Sequence, residues 1–330
     1  MKRPAAPLAV AAALAVAAAL AVRVVTAGAQ DPPQPASAAA PLDARDLDRI
    51  DLPFERRAGI AKAIQAGAYD RAQALLLDEV ERSPRSPELL RLLGGVLFVT
   101  GEYLDSAIAL KKAEALAPLD ARSRFTLAMS YVVLGQRRWA RPELETLARA
   151  DARNPLYPYW MARLDYDEEH YADAVEGFRH VLALDPAYLR AHDNLGLALE
   201  ALGREDEAIR SYREALRLDR LRKAGSPWPA LNLGILLTRL DRLDEAEPLF
   251  RESAATDPRF APAHYQLGLL LERKGRAGDA VAEMNQAAQL DPHYPEPHYA
   301  LARLYRREGE AAKADGALER FLALKKEKGR

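Results

Sequence analysis

The sequence predicts an all-α chain, a solenoid of about eight helix-turn-helix repeats, and three observations predict it. A small or apolar residue returns at Ile60, Gly94, Ala128, Ala162, Gly196, Gly234, Gly268 and Ala302, at intervals of 34 residues except for one of 38. A second series lies about twelve residues on: Ala72, Ala107, Ala140, Ala174, Ala208, Ala246, Ala280 and Ala314, with a one-residue slip at Ala107. Turn glycines fall between the two at Gly67, Gly101, Gly135, Gly203, Gly275 and Gly309, with Glu169 and Asp241 holding that place in the other two repeats. A fixed period of this length marks a unit that cannot bury its faces alone and stacks on its neighbours.

Each element follows from these series. The first series sets the middle of a first helix, where a small residue lets a second helix approach closely; Gly196 and Ala208 are expected to form such a pair. Turn glycine supplies the left-handed conformation that ends the first helix. The second series places the second helix, and Pro84, Pro118, Pro186, Pro258 and Pro292 stop it. Larger residues, among them Phe178, Tyr212 and Phe250, fill the space between helices. Four extra residues within 219–229 are expected to shift or bend the stack there.

Composition agrees. Of 330 residues 49% are hydrophobic, enough to bury a long core, and alanine and leucine outweigh β-branched and aromatic types. Lysine and arginine total 47 against 48 aspartate and glutamate, without the basic excess of a nucleic-acid binder. There is no cysteine, which excludes disulfides, thiolate metal sites, a cysteine nucleophile and a lipid-modified anchor cysteine.

At the N-terminus Lys2 and Arg3 precede an apolar run from Leu8 to Val22, and Ala27 and Ala29 make a small-residue cleavage pattern. This reads as a secretory signal over 1–29, which implies a periplasmic or secreted protein; the alternative is an uncleaved membrane anchor through residues 8–25. Residues 30–52 read as a proline- and alanine-rich linker and lead-in, 53–325 as the repeat array, and 326–330 as a basic tail.

The repeats resemble the tetratricopeptide repeat family. The clearest copy, Leu189 to Arg220, carries Asn194-Leu195-Gly196, Gly203, Ala208, Tyr212 and Ala215. The resemblance spans about Pro53 to Lys325, with His192, His264 and His298 where the family commonly has tryptophan. It implies a right-handed superhelical solenoid whose first helices line a concave, protein-binding face. By phase, the resemblance places Phe98, Phe125, Tyr159, Arg163, Trp228, Ile235, Tyr265, Leu269, Tyr299 and Arg303 on that face. Aromatics and arginines are the types enriched at binding hot spots: rings cover apolar side chains and guanidinium groups pair with carboxylates. The carboxylate clamp of chaperone-binding relatives is not expected, because Tyr159, Arg163, Trp228 and Asn232 replace its residues and Asn194 alone matches. Asn194 and Asn232 are also similar to the asparagine ladder of glycosyltransferase-linked arrays, but a catalytic domain after residue 325 is not expected.

No catalytic motif, cofactor fingerprint or metal-ligand set stands out. His170 and His180 flank one turn and are weighed as metal ligands against a surface and interhelix role, the latter preferred. His192, His264 and His298 share one repeat position, which reads as packing. Acidic pairs at Glu168-Glu169 and Asp244-Glu245 are expected to complement the start of a second helix. Arg303, Arg306 and Arg307 make the last first helix basic. The leading expectation is an exported scaffold that binds a protein or peptide segment without catalysis or cofactor, and without nucleic acid. The alternatives are a structural spacer or oligomerisation module of an envelope assembly and, lower, a hydrolase or metal-binding protein.

Overall fold

The computed structural model describes Leu47 and residues 50–328. The expected signal, its cleavage site and most of the linker fall outside these residues. Among the described residues there are sixteen α-helices and no strand, and no helix is long and apolar enough to cross a membrane. The chain divides into two compact units, one ending at Glu169 and one beginning at His170.

The first unit holds α1 (Phe54–Gln65), α2 (Tyr69–Arg82), α3 (Pro87–Val99), α4 (Tyr103–Glu114), α5 (Ala121–Val133), α6 (Arg137–Ala150) and α7 (Leu156–Asp167). Each packs on the next, and α3 also touches α5. Ser86 and Asp120 cap α3 and α5 by accepting from the backbone N–H of Leu89 and Ser123. Leu47 and Ile50 are buried among Ile60, Leu76 and Leu89. Leu47 and Ile50, at the end of the lead-in expected as linker, therefore belong to the core of the first repeats.

The second unit holds α8 (Tyr171–Leu184), α9 (Leu189–Ala201), α10 (Glu205–Arg222), α11 (Trp228–Arg239), α12 (Leu243–Thr256), α13 (Ala261–Arg273), α14 (Ala277–Leu290), α15 (Pro295–Arg307) and α16 (Ala311–Lys328). Consecutive helices again pack, and first helices of successive repeats meet at α9 with α11 and α11 with α13. Three of the second helices, α8, α12 and α14, end in an Asp-Pro turn: the carboxylates of Asp185, Asp257 and Asp291 accept from the N–H of Ala187, Arg259 and His293. The final helix runs through Lys328, past the boundary expected at 325, so Lys326 to Lys328 continue the helix instead of starting a tail.

The eight turn positions all have positive φ, including Glu169 at 62° and Asp241 at 59°. The side chain that lies over Gly196 is that of Tyr212, beside the buried Ala208 named from the sequence. A Cβ on Gly196 would lie 2.5 Å from the Tyr212 ring, one helical turn beyond Ala208. Gly94, Gly234 and Gly268 face Leu110, Phe250 and Met284 in the same way, always sixteen residues on. Nor does the second series slip. Ser106 takes the twelfth position after Gly94, fully buried, and donates to the Gly94 carbonyl at 2.7 Å. The four extra residues do not interrupt the stack. They lengthen α10 to 18 residues, against 14 in α8, α12 and α14, and Lys223 ends it in a left-handed conformation.

Candidate functional site

Three of the residues expected on the inner face, Ile235, Leu269 and Arg303, come together in the second unit. They line an open cleft of about 570 Å³ between the exposed sides of α11, α13 and α15. Ile235 and Leu269 stand one position beyond the crossing glycines Gly234 and Gly268, so they turn away from the second helices. Both are half-buried and form an apolar floor.

Around that floor stand four arginines, Arg239, Arg273, Arg303 and Arg307, and one carboxylate, Glu272. Arg239, Arg273 and Arg307 occupy one repeat position, five residues beyond Gly234, Gly268 and Ala302. Their side chains reach back toward the preceding repeat. Arg239 meets Glu200 at 2.9 Å and Glu205 at 3.7 Å. Arg273 donates to the Asp241 carboxylate and to the Thr238 carbonyl. Arg303 and Arg307 share Glu272. The four arginine side chains are between 46 and 54% exposed, whereas Glu200 and Glu272 are only 12% exposed. Each guanidinium group therefore faces an acid, Glu200 and Glu272 recessed beneath the surface and Asp241 standing exposed on it.

The recessed acids connect to the core. Tyr212, whose ring covers Gly196, donates its hydroxyl to Glu200 at 2.9 Å. Burial holds the Glu200 carboxyl above its usual range, against the lowering effect of Arg239 and Tyr212. Beside the cleft Tyr265 is half-buried, edge-on to Tyr294 at 5.2 Å between ring centres. Burial pushes its hydroxyl up to about 12, so it remains a neutral donor near neutral pH.

The other expected residues lie elsewhere. Phe98, Phe125 and Tyr159 are buried, and their rings meet Tyr103, Tyr157 and Trp160. They are core residues, because aromatic area at the phase of the first helix is taken up by neighbouring helices. Arg163 pairs with Asp167 and lies over the Tyr166 ring. Trp228 opens α11 against Phe260, and Tyr299 packs against Phe321 of α16. Asn194 and Asn232 are buried as well; Asn232 donates to Asp193 across α9 and α11. Arg306 turns to Asp315.

The histidine position is structural: His192 bonds to the Pro186 carbonyl, His264 to Glu283, and His298 has its pKa lowered first by burial and then by Arg320. His170 precedes α8 and His180 lies ten residues along; at ~1.5 Å rise per residue they stand roughly 15 Å apart along the axis, too far to share a metal ion. Of the acidic pairs, Asp244 and Glu245 do sit in the first turn of α12, but Glu168 caps the end of α7 and accepts from Arg141. Of this arginine ladder the sequence reading singled out Arg307 alone, for the basic face of its helix, and passed over Arg239 and Arg273. Its signal was the same 34-residue interval from Arg239 to Arg273 to Arg307.

Comparison with known proteins supports the architecture. Family models described as tetratricopeptide repeats match residues 62–121 and 231–295, 189–221, and 298–330, together more than half of the chain. Among solved structures, yeast Tom70 is similar with a TM-score of 0.63 and 16% identity, covering 83% of this chain and 61% of that one. A tetratricopeptide repeat protein from Parabacteroides merdae gives 0.61 and 14%, over 83% of this chain and 99% of that one. PilW, a type IV pilus biogenesis factor, gives 0.56 and 22%, over 62% and 92%. A search of curated proteins returns no matching relative.

Proposed function

Because the chain belongs to the tetratricopeptide repeat family, we propose that it is a non-catalytic scaffold that binds a protein segment in the cleft of α11, α13 and α15. The observation that carries this reading is the pairing of an apolar floor, Ile235 and Leu269, with half-exposed guanidinium groups around it. Apolar area drives association of such a surface, and guanidinium groups fix the register of the segment. Pull-down from the native cell with the full chain, compared with Ile235→Asp/Leu269→Asp, tests it. Loss of specific partners from the variant, with helix content unchanged by circular dichroism, is expected; equal recovery overturns it.

The scaffold acts outside the cytoplasm in this proposal, on the strength of the basic start, the short apolar run and Ala27 and Ala29. N-terminal sequencing of the exported chain is expected to begin at Gln30. A protein recovered whole with the membrane fraction would instead support the retained anchor.

A further inference from the structure

One side of α4 differs from the same side of every other second helix described. Its inner side is buried through Ser106, Ala107, Leu110 and Ala113. The opposite side carries Leu104 and Ile108, about one turn apart and 60 and 44% exposed. At the same repeat phase the seven other second helices place no large aliphatic residue at either position. Leu104 is matched by Asp70, Arg138 and Asp206 among others, and Ile108 by Glu176 and Arg210. Leu116, in the turn that follows α4, is 44% exposed as well. Apolar side chains grouped in this way on a surface that is polar elsewhere gain from being covered.

We propose that this side of α4 pairs with the same side of a second copy, the two helices running antiparallel across a two-fold axis at Ile108. The charges beside the apolar stripe carry the choice of partner. Asp105 lies in the first turn of α4 and Lys112 in the last, both exposed. Among the described residues neither forms an ion pair, whereas Lys111 is already held by Glu114. Asp105 comes three residues before Ile108 and Lys112 four after it. Antiparallel pairing about Ile108 therefore brings Asp105 of each copy within ~1.5 Å along the axis of being level with Lys112 of the other. The same register sets the two Ile108 side chains together and lays Leu104 on the aliphatic stem of Lys112, with Leu116 about one turn beyond. The opposed helix dipoles add to the match. An anionic lipid surface would suit Lys112 and repel Asp105. The contact is small beside that of a permanent dimer, so association depends on concentration. It is independent of the cleft, which lies in the other unit.

Sedimentation equilibrium of the full chain over a concentration series tests this, with the helix content of each variant checked by circular dichroism. The wild type is expected to pass from monomer to dimer and to stop there, because a two-fold contact leaves no free copy of itself. Ile108→Asp should weaken the dimer by about a hundredfold, since it sets two carboxylates together at the axis. Asp105→Lys and, separately, Lys112→Glu should each weaken it about tenfold, because either change opposes like charges twice. Asp105→Lys combined with Lys112→Glu in one chain exchanges the partners of both pairs and should recover most of the affinity. A monomer at every concentration overturns the proposal, as does a dimer that withstands Ile108→Asp. A dimer lost on Ile108→Asp but not recovered by the combined variant overturns the antiparallel register. A mass that climbs past the dimer overturns the two-fold contact. Capture of the wild type on phosphatidylglycerol vesicles, abolished by Ile108→Asp and without a dimer in solution, assigns the stripe to a lipid surface and overturns the proposal.

Discussion

At the scale of the residue, the fold depends on places where a side chain is missing or strained. A methyl group on Gly196 would already overlap the Tyr212 ring, and valine would force the ring out of its place and away from Glu200. Gly196→Val is expected to cost ~1–3 kcal/mol by overpacking, visible as a lower urea midpoint. Glu169 shows the opposite case. It takes the left-handed turn conformation at φ 62° that glycine takes in six other repeats. A left-handed non-glycine residue carries a penalty of roughly 1–2 kcal/mol, so Glu169→Gly should stabilise the chain by ~0.5–1 kcal/mol after the added chain entropy of glycine. A lower melting temperature for this variant would contradict the assignment of strain.

At the scale of the element, helices are held by what reaches between them. Leu47 is 1% exposed within the core of the first repeat although it precedes the first α-helix. Leu47→Ala should cost ~2–5 kcal/mol if the segment is a true cap, as for other buried leucines. A change below ~0.5 kcal/mol would mean that the segment rests on the surface only. Glu247 of α12 accepts from Lys274, Arg251 and Arg276, at the α13–α14 turn and on its own helix. Those bonds, Lys274 first, lower its pKa from 4.5 to about 2. The folded value lies below the unfolded one, so its contribution is complete above pH 4.5 and is lost as the pH falls toward 2. Glu247→Gln should therefore lower the urea midpoint at pH 7, and the gap to wild type should close through that acid window. A gap that does not change with pH would assign the loss to packing.

At the scale of the whole molecule, the 34-residue period was enough to assign helix pairs, turns and phase, because each repeat solves the same packing problem. Glu169 and Asp241 were legible as turn residues without being glycine. Period alone did not show which residue lies over each glycine. That depends on side-chain direction along the second helix, which lays the Tyr212 ring over Gly196. It also did not separate core aromatics from groove aromatics. Phe98 and Phe125 share the phase of the inner helices yet are consumed by their neighbours, while Arg239, Arg273 and Arg307 remain accessible because a charged head favours water. Stacked repeats contact only those next to them, so protection should not be uniform. In the second unit, hydrogen exchange in α16 should be at least about tenfold faster than in α11, which has a helix on either side. Equal protection would indicate a single cooperative body.

The sixteen-residue interval between each crossing glycine and the side chain above it acts as a ruler within the hairpin. Where the chain has grown by four residues, it has grown after Asp219, outside the interval from Gly196 to Tyr212. Length is thus free at the seams between hairpins and forbidden inside them. A foreign loop spliced beside Lys223 should be carried as cargo, whereas deleting one residue between Gly196 and Tyr212 would rotate the second helix by roughly 100° and turn its buried face to water.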